Sequence, residues 1–177
     1  MKLLAVPSFR QTPGHSTCGP ATLKMLLMYW KLPGAEFTDV EIGERCGTNA
    51  DLGTSPTALV AGAAKFGLTL SPKHYASFDD IMAWLDKKIP VVVDWFAPPT
   101  KDDEEHVMAD GHYSIVVALD ETSIYLQDPE LGALRTIARE EFLRVWFDFE
   151  GNYIQSPEHI FIRSLFAAYP TENETLK

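Results

Sequence analysis

The stretch Asp110-Gly-His112-Tyr-Ser-Ile-Val-Val-Ala-Leu119-Asp-Glu-Thr122-Ser-Ile-Tyr-Leu-Gln-Asp128-Pro129 decides the fold. It reads as two strands, His112 to Leu119 and Ile124 to Gln127, rich in β-branched and aromatic residues. Adjacent antiparallel strands bring the start of one near the end of the next. Residues 112 and 128 have the same parity, so they share a face only if opposed residue numbers have an even sum. A three-residue loop, Asp120-Glu-Thr122, gives that register. It sets Asp128 opposite Ser114 and diagonal to His112, roughly 7 Å away between backbones. A two-residue turn puts the two on opposite faces unless a bulge intervenes.

Further strands flank this pair. Ile89-Pro-Val-Val-Val-Asp-Trp-Phe96 is a β-rich apolar run, and Ala133 to Ile137 and His159 to Leu165 complete the set. Arg139 to Phe147 reads as a helical insert. The chain upstream is helical. Leu23 to Trp30 forms a first helix, with Thr17 as its cap and Pro20 tolerated in its first turn. Thr38 to Cys46 is closed by Gly47. Gly53-Thr-Ser-Pro56 starts a helix from Thr57 to Phe66. Leu68-Thr-Leu70 is a short strand, and Ser77-Phe-Asp-Asp80 opens a helix through Ile81, Trp84 and Leu85. Helices first and strands later predict an α+β fold, with an antiparallel sheet packed against the first helices. The 177 residues fit one domain, 1–177, with a frayed tail from about residue 167.

Composition narrows the function. Fifteen basic and 25 acidic residues give a net charge of −10, which argues against nucleic acid or an anionic membrane as main partner. No apolar run approaches the roughly 20 residues of a membrane span. The start, Met1-Lys-Leu-Leu-Ala-Val-Pro7, lacks the apolar stretch and cleavage site of a signal peptide, so a cytoplasmic location is expected. There Cys18 and Cys46 stay reduced and unbridged. Oligomeric state is not readable from the sequence.

The chemistry centres on Gln11-Thr-Pro-Gly-His-Ser-Thr-Cys18-Gly-Pro-Ala-Thr22. A thiol at a helix N-terminus faces unpaired backbone N–H groups and the positive end of the macrodipole. Both favour the nucleophilic thiolate. His112 supplies a base that becomes a general acid, and Asp128 an orienting carboxylate. Gln11, upstream on the entering loop, can donate its amide N–H to a developing oxyanion together with the Cys18 N–H. Gly19 has no side chain to block approach to the sulfur. His15-Ser-Thr-Cys18 has zinc-like spacing, but no second ligand pair lies near Cys46, so no metal or other cofactor is expected. Ala97 to Gly111 is the longest irregular stretch, read as a solvated loop, with a mobile flap beside His112 as its functional alternative.

These pieces together resemble the papain-like cysteine peptidases of the bacteriocin-processing, or double-glycine, family, in particular stand-alone members without an ABC transporter. The matching pieces are Gln11, Thr17-Cys18-Gly-Pro-Ala21, Gly53-Thr-Ser-Pro56, Pro90-Val-Val-Val93, Gly111-His112-Tyr113 and Asp128-Pro129. The resemblance implies a papain-like α+β fold with Cys18, His112 and Asp128 as triad and Gln11 as oxyanion residue. Gln11 departs from the pattern, lying seven residues before Cys18 where the family has six. The resemblance also implies a peptide or protein substrate, cut through a Cys18 thioester after a small residue. Two alternatives stand beside it: an acyltransferase, as in phytochelatin synthesis, and a catalytically silent peptide-binding module.

Overall fold

The structure is a computed structural model that describes residues 3–98, 110–149, 151 and 154–172. Three helices open the chain: α1 (Cys18–Trp30), α2 (Asp39–Cys46) and α3 (Pro56–Ala64). Then come β1 (Leu68–Lys73), α4 (Phe78–Asp86), β2 (Val91–Ala97), β3 (Asp110–Leu119), β4 (Ser123–Asp128) and β5 (Ala133–Ala138). The last elements are α5 (Arg139–Val145), β6 (Phe147–Phe149), a 3₁₀ turn at Pro157–His159, β7 (Ile160–Ile162) and β8 (Ser164–Pro170). The expected flap, 97–111, lies for the most part outside the described residues.

Several boundaries follow from local chemistry. Thr38 and Glu41 form a reciprocal capping box at the start of α2, as do Ser77 and Asp80 at α4. Ser55 accepts from the Ala58 N–H, with Pro56 at the first helical position of α3. Gly47 closes α2 in the left-handed region, φ 76°. Thr17 departs from expectation, since its side chain makes no cap on α1. Its hydroxyl donates instead to the buried Asp39 carboxylate, at 2.7 Å.

Six strands form one antiparallel sheet in the order β1-β8-β2-β3-β4-β5. Its two faces carry separate cores. Leu23, Leu26 and Leu27 of α1 pack with Val92, Tyr113, Ile115 and Phe166 on one face. Phe78, Ile81 and Leu85 of α4 and Phe142 of α5 pack with Val93, Trp95, Val116 and Leu126 on the other. The expected helix-on-sheet packing is present, and the sheet is covered on both sides.

Three expectations need correction. The segment His159 to Leu165 is not one strand: Arg163, at φ 48°, separates β7 from β8. Nor does the chain fray from residue 167. Ala167, Ala168 and Tyr169 are fully buried in β8, between β1 and β2. The insert Arg139 to Phe147 is helical only to Val145 and then enters β6.

The β3–β4 hairpin resolves its register by a different route from the three-residue loop. The Asp120 N–H bonds to the Ser123 carbonyl at 3.0 Å, so the turn has two residues, Glu121 and Thr122. Leu119 opposes Ile124, an odd sum. A bulge between Val116 and Ala118 then shifts the pairing to Val116–Leu126 and Ile115–Gln127, an even sum. The bulge returns Asp128 to the face that carries His112.

Candidate active site

Cys18 is the first residue of α1, half-buried, with a free thiol. Because Thr17 turns to Asp39, no side chain caps the first turn that holds the sulfur. Asp39 also accepts from the Thr12 N–H and the Thr12 hydroxyl, each at 2.7 Å. One buried carboxylate thus pins both ends of the loop that delivers Cys18. Burial alone would raise its pKa, but the bonds from Thr17 and Thr12 hold it below the usual value. Gly19 is required by packing: a Cβ there would lie 3.1 Å from Leu59 and 3.2 Å from Thr54. The segment Gly53-Thr-Ser-Pro56 is therefore the seat of the Cys18 turn, and the Thr54 carbonyl also accepts the Tyr113 hydroxyl at 3.1 Å.

His112 lies near the start of β3, paired with Trp95 of β2, and is 7 % exposed. Its Nε2 meets Asp128 Oδ1 at 3.1 Å, and the Cys18 side chain lies close enough to act on the charge of its ring. The indole of Trp95 packs edge-on against the imidazole, centroids 6.0 Å apart, and donates to Ser114 Oγ at 3.1 Å. Burial by itself lowers the imidazole pKa. The charge and hydrogen bond of Asp128, with the same effects from Cys18, outweigh it and raise the pKa to about 10.

Asp128 ends β4 and is fully buried. Besides His112, it meets Arg135 Nε at 3.1 Å, accepts the Glu130 N–H at 2.9 Å and takes the Ser114 hydroxyl at 3.4 Å. These contacts, led by the His112 charge, overcome burial and hold its pKa below the usual carboxylate value. It serves at once as turn-starter and as partner of His112. Arg135 went unnoticed in the sequence. It lies in β5, stacks over Trp95 at 5.5 Å and also binds Glu130 at 2.8 Å. The signal was a lone cation in the strand next to Asp128.

Gln11 is tied to the same turn, its N–H donating to the Pro129 carbonyl at 2.8 Å. Its side-chain oxygen is buried with no hydrogen-bond partner. The seven-residue spacing to Cys18 runs through a turn at Pro13-Gly14-His15, with Gly14 at φ 73° and His15 exposed. Cys46 stands apart: it is free and packed where a Cβ on Gly62 would fall 2.2 Å from its sulfur. Burial pushes its thiol up to about 11. Among the described residues, one trio has metal-like spacing, His112, Asp128 and Glu130, within 4.8 Å. The Arg135 guanidinium already bridges its two carboxylates. No helix among the described residues is long and apolar enough to cross a membrane.

The arrangement of helices and sheet has counterparts among solved structures. A double glycine motif protease from an AMS/PCAT transporter, in complex with its leader peptide, superposes with a TM-score of 0.63 at 20% identity. The match covers 96% of this chain and 94% of that one. A putative C39-like peptidase from Bacillus anthracis gives a TM-score of 0.63 at 17% identity, over 94% of this chain and 97% of that one. These likenesses confirm the papain-like α+β fold expected from the sequence. No curated protein matches the sequence. The sequence pattern of the Peptidase_C39 like family matches residues 3–154, and the chain belongs to that family.

Proposed function

We propose that this chain is a cysteine peptidase with Cys18 as nucleophile, His112 as base and acid, and Asp128 as orienter. The observation that carries the reading is the position of His112, bonded to Asp128 and beside the Cys18 side chain at the mouth of α1. Thiol and imidazole exchange a proton to give thiolate and imidazolium. The thiolate attacks an amide carbonyl, and the C–N bond breaks as His112 protonates the leaving amine. A Cys18 thioester remains. Water, giving its proton to His112, attacks the thioester, releases the carboxylic acid and returns the thiol.

The Cys18 N–H, left without a side-chain cap at the helix mouth, is one donor to the oxyanion. The Gln11 amide is the second, and its fastening to Pro129 supports that role. A leader peptide bound by a structurally similar protease supports a peptide substrate, and we assign a small residue before the cut. The two free thiols suit a reducing compartment such as the cytoplasm.

The test is digestion of a peptide library varied at the residue before the cut, read by mass spectrometry. Cleavage after Gly or Ala by the native chain, absent in a folded Cys18→Ala variant, is the expected result. Cleavage retained by Cys18→Ala contradicts the mechanism. Capture of the acyl group by an added amine, in preference to water, would establish acyl transfer instead.

A further inference from the structure

A buried acidic pair lies beside Cys18 and His112 and takes no part in the chemistry above. Asp94 of β2 sits between Tyr113 of β3 and Ser164 of β8. It is fully buried, and neither of its oxygens has a hydrogen-bond partner among ordinary donors. An isolated ionised carboxylate in such a place is strongly disfavoured. Asp148 of β6 lies beside it, its carboxyl set against Gly111, two residues before the Tyr113 that pairs with Asp94. Ionised carboxylates only accept hydrogen bonds, so a bond between these two requires a proton held between them.

The chain makes room for this contact. A Cβ on Gly111 would stand 2.5 Å from Asp148 Oδ2 and 2.6 Å from Oδ1. The residue before His112 is thus bare where a carboxyl lies against it. Phe147 and Phe149 flank Asp148 and stack on Phe96 at 5.4 Å and 5.6 Å, seating β6 over the ends of β2 and β3.

We propose that Asp94 and Asp148 share one proton, and that this carboxyl–carboxylate pair ties β6 to the start of β3 and positions His112 toward Cys18. Only its positioning part rests on the Cys18–His112 reading. The ionisable groups facing the pair are Cys18, His112, Tyr113 and Asp110. Burial, then the Asp148 charge, push the Asp94 carboxyl well above its usual range, and burial also raises Asp148. The shared proton leaves one negative charge, not two, beside the Cys18–His112 pair.

Asp94→Asn keeps a donor in place of the shared proton, and Asp94→Ala removes it. An infrared spectrum of the native chain at pH 7 is expected to show a protonated-carboxyl band that Asp94→Asn lacks. The folded state holds a proton that the unfolded chain releases above about pH 4, so native stability falls relative to Asp94→Asn as pH rises. The melting temperature of Asp94→Asn should therefore climb against the native value between pH 4 and pH 8. Asp94→Asn should keep native alkylation of Cys18 by iodoacetamide, and Asp94→Ala should slow it severalfold. No such band, or no gain with pH, overturns the shared proton. Unchanged alkylation in Asp94→Ala overturns the positioning role. A native Cys18 that is inert refutes the peptidase reading and leaves the shared proton to stand on the first two readouts.

Discussion

Asp128 shows how much one residue carries. It orients His112, neutralises Arg135 and starts the turn after β4. Cys18→Ala and His112→Ala should each abolish turnover while leaving the fold intact by circular dichroism. Asp128→Ala should cost less turnover than either. It should also destabilise the fold by about 2 kcal/mol, because a half-buried guanidinium loses a partner while keeping Glu130. Chemical denaturation separates that loss from the kinetic one. Asp39 acts on the loop that delivers Cys18. Asp39→Asn keeps the size but places an amide N–H against groups that donate, so a loss of about 2 kcal/mol and slower alkylation of Cys18 are expected. Cys18, His112 and Asp128 were legible because helix mouth, strand start and strand end are local features. Asp39 and Arg135 were not, because an acid at a helix start or a cation in a strand is ordinary until its partner is known.

Among the elements, the helices wrote their own boundaries. Thr38, Ser55 and Ser77 each cap within four residues, and no tertiary contact is needed to read them. Thr17 has the same chemistry but a nearby buried carboxylate outcompetes the helix for its hydroxyl. The strands were harder. A two-residue turn and a bulge together reach the same parity as the three-residue loop, and nothing local distinguishes the two solutions. The burial of β8 depends on partners about seventy to a hundred residues away, in β2 and β1, and Arg163 at the kink bonds to Trp146 and Ala76. Two substitutions separate structural from functional elements. Ser77→Ala should cost about 1 kcal/mol at α4 and leave Cys18 alkylation unchanged. Gly19→Ala should push the α1 start off Thr54 and Leu59 and slow alkylation, read on a chain with native circular dichroism.

The whole molecule should show its charge pattern in the pH dependence of stability. His112 gains protons on folding: its pKa of about 10 exceeds the unfolded value of about 6.5. Its stabilising contribution is full below about pH 6.5 and declines as pH rises toward 10. Asp128 is shifted the other way, so its contribution holds above about pH 4 and is lost as pH falls. The combined contribution of these two residues is therefore greatest between about pH 4 and 6.5, and His112→Ala should lessen the alkaline decline in thermal melts. In the proposed mechanism the same imidazolium pairs with a Cys18 thiolate, so the mechanism is best tested at Cys18. The measurement is the rate of Cys18 alkylation by iodoacetamide against pH, in the native chain and in His112→Ala, with Cys46 blocked by its burial. The account predicts reactivity persisting well below the free-thiol pKa of about 8.5, and lost below it in His112→Ala. A Cys18 that is inert, or that titrates near 8.5 in both proteins, contradicts it and leaves a catalytically silent peptide-binding module.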